Sequence, residues 1–169
     1  MPIFSPNSLD IISRSPEQTR RIGMRLGAML RTGDVVCLSG DLGAGKTTFI
    51  QGLSSGWGSL DAVSSPTFVL VNVYRRLDGQ QLYHLDAYRL AGAADAYELD
   101  IDAMLESGLV VVEWDERIQA ALPAEFIQVR LTYIEDNQRD MLISARGKIP
   151  PGGHYQATLV ALRKEIFGG

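Results

Sequence analysis

The 169-residue chain has one cysteine, Cys37, so no internal disulfide can form. Its setting, Val35-Val36-Cys37-Leu38, suits a small buried hydrophobe. No apolar run approaches the roughly 20 residues that a membrane-spanning helix needs. The opening Met1-Pro2-Ile3-Phe4-Ser5 has neither the basic nor the apolar region of an export signal, and a cytoplasmic location is expected. A basic stripe is also missing: 16 Lys and Arg face 20 Asp and Glu, the net charge is −4, and the densest basic clusters are only Arg20-Arg21 and Arg75-Arg76. A protein that grips nucleic acid unaided carries more positive charge than this, so any RNA is expected to be held by a partner. There is no Asn-Lys-x-Asp guanine signature, no arginine-rich lid, no evident acceptor site, no internal repeat and no low-complexity tract. The remainder, 46% apolar and 21% charged, describes an ordinary folded protein, and the length predicts a single domain over 1–169.

Ser13-Arg14-Ser15-Pro16-Glu17 reads as a helix start, with a serine cap followed by Pro and Glu in the first turn. Ile22, Met24, Leu26, Met29 and Leu30 continue an apolar side, and Thr32-Gly33 is expected to end it. Asp34 to Ser39 lacks polar alternation, as a strand buried on both faces does. A helix is predicted from Lys46 to about Leu53, stopping at Ser54-Ser55-Gly56. Thr67 to Arg75 and Gln81 to Asp86 flank a turn with Asp78-Gly79, a strong hairpin signal. Ala93 to about Glu106 reads as one helix, Leu109 to Glu113 as a second buried strand, and Phe126 to Ile134 with Met141 to Arg146 as a second hairpin. A last helix is expected from Gln156 to about Ile166. Buried strands among helices, with two hairpins, predict an α/β fold of P-loop type: three layers around a mixed parallel and antiparallel sheet.

The chemistry centres on Gly40-Asp41-Leu42-Gly43-Ala44-Gly45-Lys46-Thr47-Thr48, which fits GxxxxGK[ST] in full and follows a strand and opens a helix. Glycines let successive backbone N–H groups turn toward phosphates, and the helix start adds its positive end. Lys46 is then expected to reach the β- and γ-phosphates and the Thr47 hydroxyl to ligate Mg²⁺. Glu113 ends a buried strand, where a second metal-side carboxylate belongs, although a solvated strand end also fits. Trp114 is open between contact with the nucleotide and plain packing. Ser64-Ser65-Pro66-Thr67-Phe68 is extended at Ser65 by Pro66 and is open between a phosphate-sensing loop and an ordinary strand entry. Strand alternation puts His84 and Asp86 on one face. Asp86 is open between positioning water or metal and a solvated strand end; His84 reads as a structural hydrogen-bonding residue, and His154 as solvent-exposed.

Four blocks in order, "GDLGAGKTTF" at Gly40 to Phe49, "SPTF" at Ser65 to Phe68, "YHLDAYRL" at Tyr83 to Leu90 and "VEW" at Val112 to Trp114, resemble the bacterial tRNA threonylcarbamoyladenosine biosynthesis ATPase family, known as TsaE or YjeE. "SPEQTRRIG" at Ser15 to Gly23 is similar in character to that family's opening helix, whereas the chain from about Ala121 onward neither supports nor opposes the match. The resemblance implies a small ATPase that binds ATP with Mg²⁺ and assists partner proteins, TsaD with TsaB, that place threonylcarbamoyl on adenosine 37 of tRNAs reading codons that begin with A. It implies that Gly40 to Thr48 bind phosphates, that Thr47 and Glu113 hold Mg²⁺, and that Thr67 and Asp86 sense or help hydrolyse the γ-phosphate, with Lys46 in the catalytic set. It also implies that the helix start near Ser15 approaches the base. The rival reading is a P-loop small-molecule kinase, which needs a second pocket for its acceptor.

Overall fold

The computed structural model describes residues 5–41, 43–63, 71–90 and 93–168. Strand β2 (Val35–Ser39) is the pivot of the sheet, parallel on one side to β5 (Gly108–Glu113) and on the other to β6 (Phe126–Glu135). Beyond β5 lies β4 (Gln81–Asp86), also parallel, and then the antiparallel edge strand β3 (Val71–Arg75). Beyond β6 come β7 (Gln138–Arg146) and β1 (Ser8–Ser13), both antiparallel to their neighbours. The order β1-β7-β6-β2-β5-β4-β3 makes one mixed seven-stranded sheet of an α/β fold.

The central strands are apolar on both faces because both faces are covered. Val36, Leu38, Leu109, Val111, Ile127 and Val129 pack against α1 (Pro16–Met29), α2 (Lys46–Trp57) and α5 (His154–Phe167). On the other face Val35, Cys37, Val110 and Val112 pack against α4 (Ile101–Ser107) and the 3-10 turns Asp115–Arg117 and Gln119–Ala121. Leu26, Leu53 and Val111 are fully enclosed, and burying each such side chain contributes about 1.5–3 kcal/mol.

Several boundaries differ from the sequence expectation, each for a local reason. Ser15 does cap α1, accepting from Gln18 N at 3.1 Å, while Ser13 belongs to β1, an edge strand paired with β7. The helix ends earlier than Thr32-Gly33, at Met29. Helix α2 runs through Ser54-Ser55-Gly56 and ends at Trp57, with Gly58 as its left-handed cap. Gly56 does not stop it because glycine serves there as a contact surface. A Cβ on Gly52 would lie 1.9 Å from the Arg20 carbonyl oxygen and one on Gly56 1.9 Å from that of Met24; across the seam, one on Gly27 would lie 2.1 Å from that of Leu53. The two helices touch backbone to backbone. The expected helix from Ala93 to Glu106 is two, α3 (Ala93–Tyr97) and α4, separated at Asp100, which turns left-handed (φ 53°) and caps α4 through its side chain. The first hairpin turns at Asp78-Gly79 as expected, with Gly79 at φ 88°; residues 67–70 of its expected first strand lie outside the described residues. The second hairpin extends to its tip, so β6 and β7 include Glu135 and Gln138. Helix α5 begins at His154, two residues before the expected start.

Candidate functional site

At the C-terminal edge of β2 the chain turns through Gly40, at φ 146°, into the glycine loop. Any side chain at Gly40 would collide with the Leu131 carbonyl oxygen of β6, 2.5 Å from an added Cβ. Gly43 and Gly45 also have positive φ, and Gly45 is the N-cap of α2, where a left-handed residue without a Cβ starts the helix. Asp41 is exposed, Ala44 is packed into the core, and Ala44 N donates to Asp41 O at 3.0 Å. Thr47 and Thr48 are half-buried in the first turn of α2. Leu42 lies outside the described residues, as does the whole Ser64 to Phe68 segment with Thr67.

Lys46, at 7% exposure, turns back on its own loop. Its Nζ donates to the Gly40 carbonyl and to the Asp41 carbonyl at 3.0 Å, and it lies 4.7 Å from the Trp114 ring centroid. Burial lowers its pKa below the usual lysine range; Glu113, then Asp41, Asp86 and Glu116, pull it back up. The ammonium is thus held by two backbone carbonyls, makes no ion pair among the described residues and is acted on by carboxylates that it does not contact.

Glu113 stands opposite Leu38 of β2 and Asp86 of β4 in the strand register, which brings three strand ends together beside the loop. Its Oε2 is 2.7 Å from His84 Nε2, and His84 Nδ1 is 3.1 Å from the Tyr74 hydroxyl. His84 is completely buried. With the proton on Nε2 the ring donates to the carboxylate and accepts from Tyr74, so the relay fixes the Glu113 side chain. Glu113 Oε1 makes no hydrogen bond among the described residues. Asp86 accepts from Tyr88 N at 3.0 Å and caps the 3-10 turn Ala87–Arg89.

Trp114 adopts left-handed backbone angles (φ 63°, ψ 46°), a costly choice for a bulky residue that recurs at functional sites. Its N–H donates to Leu38 O at 3.2 Å, and its ring stacks obliquely on Tyr88, centroids 5.4 Å apart. Trp114 thus packs against the protein and roofs Lys46 at once.

Two features escape sequence reasoning. The β6–β7 hairpin carries Arg139 to the loop, where Nη2 donates to Gly43 O at 3.1 Å while the guanidinium lies 4.8 Å from the Tyr133 ring centroid. Only strand register could have located it, since Arg139 lies 96 residues from Gly43. The Glu113–His84–Tyr74 chain is likewise a product of register, although strand alternation does place His84 on the Asp86 face. Ser15, by contrast, spends its hydroxyl on the α1 cap. His154 is not a free surface histidine: Nε2 lies 2.7 Å from Asp34 Oδ2, at the other end of β2 from the loop.

Among the described residues no group of three His, Cys, Asp or Glu forms a metal cage, and Mg²⁺ on a nucleotide does not need one, since it takes one or two protein oxygens with phosphate and water for the rest. Thr47, in the first turn of α2, and Glu113, at the end of β5, would supply that number.

The family model for threonylcarbamoyl adenosine biosynthesis protein TsaE matches residues 13–141. A tRNA threonylcarbamoyladenosine biosynthesis protein TsaE from Streptomyces coelicolor is 48% identical over 114 residues, 66% of this chain and 77% of the relative. The protein of that name from Treponema pallidum is 38% identical over 135 residues, 79% of this chain and 98% of the relative. Among solved structures, YdiB from Bacillus subtilis superposes with a TM-score of 0.74 at 30% identity, covering 94% of this chain and 96% of the other.

Proposed function

Because the chain belongs to the TsaE family of threonylcarbamoyl adenosine biosynthesis proteins, we propose that it is an accessory ATPase for the threonylcarbamoyl modification of adenosine 37 in tRNAs reading codons that begin with A. It binds Mg-ATP and acts on a TsaD- and TsaB-like transferase complex, which handles the tRNA. The observation that carries this reading is the convergence of Lys46 and Glu113 beside the glycine loop, with Glu113 the foremost charge acting on the buried ammonium.

The loop's N–H groups and the α2 start bind the phosphates, and Lys46 exchanges the Gly40 and Asp41 carbonyls for phosphate oxygens. Thr47 and Glu113 would hold Mg²⁺, which would supply positive charge beside the phosphate oxygens. Glu113 is preset by His84, and Asp86, opposite it in the register, orients the attacking water. The acidic balance of the chain leaves tRNA to the partners.

The test is phosphate release from Mg-ATP by the full chain, alone and with TsaD- and TsaB-like proteins and tRNA. Slow hydrolysis that rises only with the partners, and that Glu113→Gln abolishes, is the expected result. ADP formation matched by phosphorylation of a small metabolite would replace this reading with a kinase.

A further inference from the structure

The β6–β7 hairpin reaches the glycine loop through Arg139. Strand β7 lies between β6 and β1, and Arg139 stands opposite Tyr133 on one side and Ser13 on the other, so the backbone that carries it is paired on both edges. Its half-buried guanidinium is fixed by carbonyl groups. Nη1 donates to Asp136 O at 2.8 Å and to Gln138 O at 3.0 Å, and Nη2 donates to Gly43 O at 3.1 Å. The group also lies against the Tyr133 ring, whose hydroxyl accepts from Asp136 N at 3.0 Å. Nε is shielded from solvent and has no partner among the described residues, so the Nη contacts set the orientation even at the cost of a further bond. Glu135 and Asp136 stand at the same hairpin tip and Asp41 in the loop, yet Arg139 forms no ion pair among the described residues.

Gly43 is exposed at φ 80°, and among the described residues nothing lies within 4 Å of a Cβ built there, so no packing of its own holds it. The peptide that joins it to Ala44 is held by hydrogen bonds at both ends instead. Its carbonyl accepts from Arg139, and its N–H, on Ala44, donates to Asp41 O at 3.0 Å. A flip of this peptide would lose both bonds and turn the Gly43 oxygen toward the Asp41 oxygen. A loop that takes an anion must present N–H groups, and a carbonyl oxygen turned inward opposes it.

We propose that Arg139 is a positioning residue for phosphate binding, locking the Gly43–Ala44 peptide with its carbonyl turned to the hairpin so that the loop is set before the nucleotide arrives. This role, which rests on the Mg-ATP reading of the loop, is exerted through the backbone and not by contact with phosphate. The bond is charge-assisted, and a ligand that need not order the loop binds more tightly.

The experiment pairs amide hydrogen exchange of the nucleotide-free full chain with calorimetric titration of a non-hydrolysable Mg-ATP analogue, for the parent, Arg139→Gln and Arg139→Lys. Arg139→Gln is expected to speed exchange at Ala44 about tenfold, with Val36 and Leu38 of β2 exchanging as in the parent, and to weaken the analogue about tenfold. Arg139→Lys keeps the charge but lacks the fork that holds hairpin tip and loop together, so it should stay at least about threefold weaker than the parent. It also carries the test should the glutamine variant lose its fold. The lock is overturned by unchanged exchange at Ala44, by β2 amides that accelerate equally in both variants, or by either variant binding the analogue as tightly as the parent. A parent that does not bind the analogue overturns the Mg-ATP reading and this role with it, whereas a parent that binds beside unaffected variants removes the role of Arg139 alone.

Discussion

At the scale of single residues, enclosure decides what a polar group must do. His84 has no access to water, so both ring nitrogens depend on protein partners, and its replacement takes a hydrogen bond from Glu113 Oε2 and another from the Tyr74 hydroxyl. We expect His84→Leu to destabilise by about 2 kcal/mol and Tyr74→Phe by about 1 kcal/mol, measured by urea unfolding. A reversed order would show that Tyr74, not Glu113, is what His84 serves. A second residue-scale prediction concerns Asp140, whose hydrogen bond to Asp10, followed by burial, raises its pKa from 3.8 to about 6. Between those values the folded chain keeps a proton that the unfolded chain has released, so this group's contribution falls as pH rises through the window and is flat above it. Asp10→Asn removes the charge that opposes Asp140 ionisation. Its stabilisation relative to the parent should therefore be small near pH 4, grow through pH 6 and level off by pH 7.5; a difference independent of pH would show that the pair does not share a proton.

At the scale of elements, what the sequence discloses depends on how local the determinant is. Strand β2, the loop and the start of α2 are legible because buried β-branched residues, glycine spacing and a helix start all sit within about twenty positions. Strands β4 and β5 read clearly for the same reason. The break at Asp100 carries no Gly or Pro, and edge strand β1 takes its identity from β7, more than a hundred residues away. The extent of α2 is hidden differently: Gly52 and Gly56 look like stops, yet they bring α2 against the α1 backbone. Alanine at an exposed helical site gains up to about 1 kcal/mol over glycine. At Gly56 we predict the opposite sign, with Gly56→Ala destabilising by about 2 kcal/mol or more because the Cβ must push two backbones apart. Calorimetry of that variant beside Gly43→Ala separates the causes, since among the described residues nothing lies within 4 Å of a Cβ at Gly43, and a loss there is expected to reflect backbone angles.

For the whole molecule, the parallel centre and antiparallel flanks follow from which strands are joined by helices and which by tight turns. The flank is not passive: it carries Arg139 to Gly43, so the glycine loop is bordered by a part of the chain 96 residues away. That span is legible only in fragments. The four sequence blocks mark the loop, Asp86 and Glu113, while Tyr74 and Arg139 belong to no block because register alone makes them neighbours. If Mg-ATP fills the loop, it stabilises the folded chain by about 2.7 kcal/mol at a concentration 100-fold above its dissociation constant. That corresponds to a melting-temperature rise of about 5–10 °C for a chain of this size. Lys46→Ala should erase most of the rise in a thermal-shift assay; an unchanged rise would place the nucleotide elsewhere.

The glycine seam between α1 and α2 also has a mechanical consequence. Side-chain interfaces yield by switching rotamers, but two backbones in direct contact have no rotamers to switch, so the seam would resist any shift of one helix against the other. A small tilt of α2 as its first turn takes up an anion would then reach the far helix undiminished. Strain arising at Lys46 would be delivered to the surface at Arg20 and Met24, and a partner seated on α1 could read the state of the loop without touching it.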